Sequence, residues 1–289
     1  FTTRTDPTIS TFPWVEDFGT TTNFPPLNWT RLVGLYPSET PTSTTSGWTY
    51  DDFANVVTTP PNMSARLNIW STSTKYWLVT PPIAIPSAGY ELKFDLALTT
   101  YSGIATPPTP GNQADDRFIV LISDNPLMTN PTVLREWNNT GSSYVYDNIS
   151  PSGENQIISL NAYSGTKYIA FYGESTVSGG DNNVYVDNVT VRETPAAPII
   201  NCTPSSWDFG QTVINTIKTK DFTIRNVGGG TLSISSITIE GDNSYTLLNN
   251  PAPVSLTAGQ TATFTVKYAP TAVGTHNGTV TITDNRGIT

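Results

Sequence analysis

Apolar and polar residues alternate along this chain with a period of two, in short runs broken by turn-forming residues. In residues 90–98, Leu92, Phe94, Leu96 and Leu98 share one parity, and Glu91, Lys93 and Asp95 share the other. That is the pattern of a strand with one face on a core and one in water. Residues 76–79, 117–123, 167–172 and 184–191 are similarly rich in Val, Ile, Phe and Tyr, the residue types that fit a pleated surface. No long stretch repeats apolar residues at i, i+3, i+4 and i+7, so helices are not expected. Gly/Pro clusters punctuate the runs, at Pro81-Pro82, 107–111, 178–181 and 228–230. The reading is all-β, a β-sandwich or jelly roll of many short antiparallel strands. A second series, at 206–209, 219–226, 232–239, 262–268 and 278–283, has the closer spacing of an immunoglobulin-like β-sandwich.

The joint between the two series is Glu193-Thr-Pro-Ala-Ala-Pro-Ile-Ile200. Pro195 and Pro198 lack backbone donors and bias their predecessors to extended conformations, which makes a short semi-rigid spacer. The expected organisation is a first domain over 1–193, a linker over 194–200 and a second domain over 201–289. The 289 residues accommodate two domains.

Composition narrows the class of function. Charged residues are only 13% of the chain, while aromatics reach 11%, with seven Trp and thirteen Tyr. Such a chain can fill a core and is not disordered. A net charge of −9 argues against a nucleic-acid partner, which would need clustered cations, and leaves room for divalent cations. The single cysteine, Cys202, excludes an intramolecular disulfide scaffold and Cys-cluster zinc sites; a small, buried, hydrophobe-like role is expected for it. No apolar stretch is long enough for a membrane-spanning helix. The chain opens at Phe1 without a signal peptide, and reads as a piece of a longer, processed protein.

Six motifs, in order, carry a resemblance. They are Trp14-Val-Glu-Asp-Phe18, Pro25-Pro-Leu-Asn-Trp-Thr30, Lys75-Tyr-Trp-Leu-Val-Thr-Pro-Pro-Ile-Ala-Ile85, Asp116-Arg-Phe-Ile-Val-Leu-Ile-Ser123, Leu160-Asn-Ala-Tyr-Ser-Gly-Thr-Lys-Tyr-Ile-Ala-Phe171 and Val184-Tyr-Val-Asp-Asn-Val-Thr-Val191. Over residues 10–193 the chain resembles the cleaved-adhesin, or choice-of-anchor J, family, a jelly roll related to MAM-type domains. The resemblance implies a non-catalytic role in adhesion or ligand binding in a secreted bacterial surface protein, with a glycan or a surface protein as partner. Residues 201–289 resemble the ASPM/SPD-2/Hydin-type, or choice-of-anchor D, immunoglobulin-like domain. The matching segments are Trp207-Asp-Phe-Gly210, Phe222-Thr-Ile-Arg-Asn-Val-Gly-Gly-Gly-Thr-Leu232, Leu256-Thr-Ala-Gly-Gln-Thr-Ala-Thr-Phe264, Tyr268-Ala-Pro270 and Gly274-Thr-His-Asn-Gly-Thr-Val-Thr-Ile282. Such domains serve as spacers and docking modules. That family has one more strand after the one ending near Ile282, and here it is expected to be missing. Either the sample is cut there, or a strand from elsewhere completes the sheet, including one from another copy of this chain.

The resemblance also implies a structural calcium near a sheet edge. Glu16 or Asp17 matches the acids of the family's first strand, and Asp187 those of the last; Gly19 and Asn188 stand where the family has further acids. The alternative is that these acids are solvated strand-edge or turn residues. Asp51/Asp52 and Asp115/Asp116 are further carboxylate groups, and a paired-carboxylate glycosidase has no family support. A Ser/His/Asp triad would need the lone His276, whose Thr and Gly neighbours suit a surface strand. Asn28, Asn148 and Asn277 head glycosylation sequons that a bacterial protein would leave largely unmodified. For sugar binding, Trp29, Trp48, Trp70, Trp77, Trp137, Tyr36, Tyr50, Tyr101, Tyr144 and Tyr146 are the available aromatics. Trp29 and Trp77 read as core. Trp48, Tyr50 and Trp137, in turn-rich segments, are the candidates for exposed ligand contacts.

Overall fold

The computed structural model describes residues 6–19, 23–105, 116–138, 149–175 and 181–288. Asp115, Tyr144, Tyr146 and Asn148 lie outside the described residues, as do the turn cluster at 107–111 and most of that at 178–181. The chain divides into two compact units, residues 1–193 and 194–289.

The first unit contains β1 (Trp14–Glu16), β2 (Thr30–Val33), β3 (Thr42–Ser43), β4 (Thr49–Asp52), β5 (Met63–Ile69), β6 (Lys75–Val79), β7 (Ile83–Ile85), β8 (Tyr90–Thr100), β9 (Arg117–Ser123), β10 (Thr132–Asn138), β11 (Glu154–Ser159), β12 (Gly165–Glu174) and β13 (Asn182–Glu193). One sheet runs β11-β8-β13-β5-β4 with β1 also on β13. The other runs β10-β9-β12-β6-β2-β3 with β7 also on β12. The strand ladders are antiparallel throughout. Leu92, Phe94, Leu96 and Leu98 meet Phe118, Val120, Ile122, Ile169 and Phe171 in one buried core. Phe94 and Phe171 meet edge to face across it, ring centres 5.2 Å apart.

The opposite parity of β8 is not the fully wet face that alternation predicts. Glu91 is buried and accepts hydrogen bonds from Arg192 of β13 at 2.8 Å. Farther along, Ala97 and Tyr185 are covered by Phe53 and Ala54 of a short 3₁₀ turn, Phe53–Asn55. Asn55 of that turn donates to Thr99 Oγ1 at 3.1 Å and to the Gly103 carbonyl at 2.8 Å, which pins the turn over the sheet.

The second unit contains β14 (Ile200–Thr203), β15 (Lys218–Asn226), β16 (Leu232–Gly241), β17 (Tyr245–Leu248), β18 (Val254–Leu256), β19 (Thr261–Tyr268), β20 (Gly278–Asp284) and β21 (Gly287–Ile288). Its sheets run β14-β15-β19-β17 and β18-β16-β20-β21, around a core of Ile224, Leu232, Ile234, Phe264, Val266 and Ile282. Cys202 is half-buried against this core, less enclosed than expected.

Two expectations are corrected here. Residues 206–209 form no strand, and the strand lies instead at β14, which takes in Ile200 from the expected linker. The last strand is begun rather than wholly absent. β21 pairs Ile288 with Thr283 and Gly287 with Asp284, while the stretch from Gly278 to Ile282 has β16 as its one strand partner among the described residues. Trp207 and Phe209 line a groove of about 780 Å³ together with Val280 and Ile282 of β20. No ladder partner reaches 206–209, so this segment does not become a strand.

Candidate functional site

The acids singled out from the sequence separate into two groups. Asp187 sits in β13 directly opposite Asp95 of β8. The register then shifts between Asp187 and Thr190, and Asn188 takes a left-handed backbone conformation (φ 50°) at the bulge. Asn tolerates this region better than most residues, which accounts for an amide where the resemblance leads one to expect a second acid. Asn188 Nδ2 donates to Asp95 Oδ2 at 2.9 Å and to Asp187 Oδ2 at 3.3 Å, and its backbone N–H donates to Asp187 Oδ1 at 2.7 Å. Asn155 of β11 donates to the other oxygen of Asp95 at 2.8 Å. Asp187 is 1% exposed. Burial, reinforced by the charges of Asp95 and Asp17 and opposed by the Asn188 and Asn62 hydrogen bonds, pushes its carboxyl up to about 7.

Asp17 of the first-strand motif adds a minor part of that upward push on Asp187. Its own Oδ1 accepts from the Gly19 N–H at 3.1 Å. Glu16 has the opposite strand parity and caps the Phe18 N–H at 3.0 Å, and burial raises its pKa. The carboxylate that pairs with Asp187 is Asp95, which alternation had placed on the wet face of β8. Its signal lay in the sequence, but its partner could be known only from the β8–β13 register. Among the described residues, no three His, Cys, Asp or Glu side chains are grouped closely enough to hold a metal ion. The chemistry of the set still suits a hard cation: a buried carboxyl with a raised pKa, a second acid opposite it, and carboxamides whose oxygens can turn inward. In the arrangement present, the Asn188 amide nitrogen offsets part of the charge.

Several of the other carboxylates have structural partners. Asp51 pairs with Arg66 at 3.1 Å, and buried Asp116 accepts from Asn182 Nδ2 at 2.9 Å. Glu174 pairs with Arg117 at 2.7 Å. His276 Nδ1 lies 2.9 Å from Asp242 Oδ2, and its Nε2 lies 3.0 Å from the Ala272 carbonyl. The ring thus bridges two acceptors. The Ser244 hydroxyl lies 3.4 Å from the same Nδ1 that faces Asp242, whereas a catalytic triad places hydroxyl and carboxylate on opposite ring nitrogens.

The aromatic expectations need correction. Trp48 is fully buried, and its indole N–H donates to the Tyr76 carbonyl at 3.2 Å. Gly47 makes this possible: at φ +87° it lacks the Cβ that would collide with the Tyr76 ring. Trp137 is also buried, packed near Phe118 and covered by the Arg135 guanidinium 4.7 Å from its ring. Neither presents a face to a ligand. Tyr50 is 39% exposed, with one face stacked towards Phe24 at 6.1 Å. Trp29 and Trp77 are buried. Among the described residues, the exposed aromatics that turn context did not single out are Trp70 and Tyr101.

Residues 197–288 match the family model described as Cep192 domain 4, which covers the second unit alone. No curated protein matches the chain. Among solved structures, a cleaved adhesin domain of Lys-gingipain from Porphyromonas gingivalis is similar at 16% identity and a TM-score of 0.38, covering 63% of this chain and 98% of that one. CBM27-1 of Caldicellulosiruptor saccharolyticus, solved with mannohexaose, is similar at 14% identity and a TM-score of 0.36, covering 63% and 98%. The N-terminal cellulose-binding domain of a Cellulomonas fimi β-1,4-glucanase is similar at 12% identity and a TM-score of 0.30, covering 58% and 90%. Among the described residues no helix is long and apolar enough to cross a membrane.

Proposed function

We propose that this chain is a non-catalytic binding region of a secreted bacterial surface protein. In this reading the first unit holds a glycan or a surface protein, and the second acts as a spacer. The observation that carries it is a division of labour in the first unit. The acids Glu91 and Glu174 are buried in ion pairs, whereas Trp70 and Tyr101 are more than half exposed. A catalytic site concentrates perturbed acids in an accessible cleft; a binding surface presents aromatics. The ordered motifs from Trp14 to Val191 support the same reading. A structural calcium held by the facing pair Asp95 and Asp187, with the Asn155 and Asn188 carboxamides beside it, belongs to the proposal, and Glu16 and Asp17 drop out of the ligand set. Adhesion of the fluorescently labelled chain to bacterial and epithelial cells, read by flow cytometry beside a hydrolysis assay on the same glycans, tests the reading. Turnover of a glycan would overturn it, and so would the absence of any cell binding.

A second reading, a structural subunit joined by strand addition, is favoured by one feature. The edge of β20 from Gly278 to Ile282 borders the groove beside Trp207 and Phe209, and β21 has already begun a ladder on that edge. An unpaired edge of this kind is a template for another strand. Light scattering at micromolar protein concentration decides between them: a monomer removes this reading, and dimers or polymers favour it.

A further inference from the structure

On the face of the β8-β13-β5 sheet that points away from the core, Thr99, Asn183 and Asn68 lie in one row across the three strands. The strands end in the paired row Thr100, Asn182 and Ile69, and the next residues outward, just past the strand ends, are Tyr101, Asp181 and Trp70. The row therefore ends in an aromatic, a carboxylate and an aromatic, side by side. Tyr101 is 51% and Trp70 54% exposed, and Asp181 is exposed as well. With β13 between them, the two aromatics stand two strand spacings apart, roughly 10 Å at the backbone. Of the three exposed aromatics in the described part of the first unit, Tyr50 already has a face on Phe24, and the other two are these.

The row is held from behind. The Tyr101 N–H donates to the Asp181 carbonyl at 3.1 Å, and Asn183 Nδ2 donates to the Tyr101 carbonyl at 2.9 Å. Asn68 Nδ2 donates to Asp181 Oδ1 at 2.7 Å. A carboxylate fixed in this way accepts hydrogen bonds from vicinal hydroxyls, and the aromatic planes beside it offer apolar surface to the C–H faces of pyranose rings. Preorganised anchors of this kind lower the ordering cost of binding.

We propose that Trp70 and Tyr101, on either side of Asp181 at one end of the first sandwich, form a stacking platform for two sugar rings of an extended glycan. The assignment rests on the binding-module reading and names its ligand class and contacts. The residue types account for the choice of a glycan over a protein: two separated aromatic planes and a central acceptor suit hydroxyl-rich rings, whereas a protein hot spot is a contiguous, desolvated patch.

The test compares the wild-type chain with Trp70→Ala, Tyr101→Ala and Asp181→Asn. Binding to cellohexaose, mannohexaose, xylohexaose and a printed glycan array is measured beside adhesion to intact cells, with melting temperature as the folding control. Because all three side chains are exposed, the variants should melt as the wild type does. Wild-type binding to a glycan, weakened about tenfold or more by either aromatic truncation, is the expected result. Glycan binding that all three variants retain overturns the platform and leaves the module reading intact. Cell adhesion without glycan binding does the same. Loss of both in the wild type overturns the platform and the module reading together.

Discussion

Asp95 and Asp187 face each other across adjacent strands, and one amide, that of Asn188, donates to both. Two acids brought together by strand pairing, with Asp187 fully buried, should make the first sandwich respond to pH and, on the proposed calcium site, to cations, and the two effects can be separated.

The Asp187 carboxyl is raised to about 7 in the folded chain from an ordinary value of 3.8. Between these values the folded state holds a proton that the unfolded state has lost, so stability falls as pH rises from about 4 to about 7 and stays low above. In EDTA, Asp187→Asn should remove this slope. At pH 8 the variant should be more stable than the wild type by on the order of 2 kcal/mol. Urea denaturation of both proteins at pH 5 and pH 8 checks this; parallel pH dependence in the two would count against it.

Calcium should reverse that ranking. With millimolar calcium at pH 8 the wild type should melt higher than in EDTA, because a ligand that binds only the folded state stabilises it by mass action. Asp95→Asn and Asp187→Asn should lose the gain, and Glu16→Gln should keep it. A melting temperature indifferent to calcium in the wild type removes the cation from the proposal.

Trp48 and Tyr50 are two residues apart and should respond very differently to truncation. Trp48→Ala opens a cavity in the core and should cost about 3–5 kcal/mol. Tyr50→Ala removes a partly exposed ring and should cost about 1 kcal/mol or less. Chemical denaturation of the two variants measures the difference.

His276 is the only histidine, so its ring protons are unambiguous by NMR. Its hydrogen bonds to Asp242 and the Ala272 carbonyl raise its pKa above 6.5. The stabilisation it provides is complete below the unfolded value and is lost as pH rises through the folded one. Asp242→Asn should bring the NMR titration midpoint back down, and an unchanged midpoint would show that the carboxylate is not what holds it. On the other side of the pair, Asp242 is lowered to about 2, chiefly by its Ser244 and His276 hydrogen bonds. Its contribution is present above about 4 and is lost as pH falls towards 2.

Alternation along the chain sufficed to locate the long central strands of both sandwiches, β6, β8, β9, β12 and β13 in the first and β15, β16, β19 and β20 in the second, because in/out parity is a local property of an extended backbone. Leu92, Phe94, Leu96 and Leu98, and the break at the Pro-rich joint, could be read from neighbours alone. What covers the other face could not. Glu91 is buried by Arg192, and Tyr185 by Phe53, residues distant in sequence that only strand pairing brings together. Trp48 and Trp137 looked exposed because turn-forming residues surround them, but both rings pack beside Phe118 in the core once the sheets stack. The Asp95–Asp187 pair and the Trp70–Asp181–Tyr101 row exist only in register, and register is fixed by the packing of whole sheets, since a slip by one residue would turn every side chain to the opposite face.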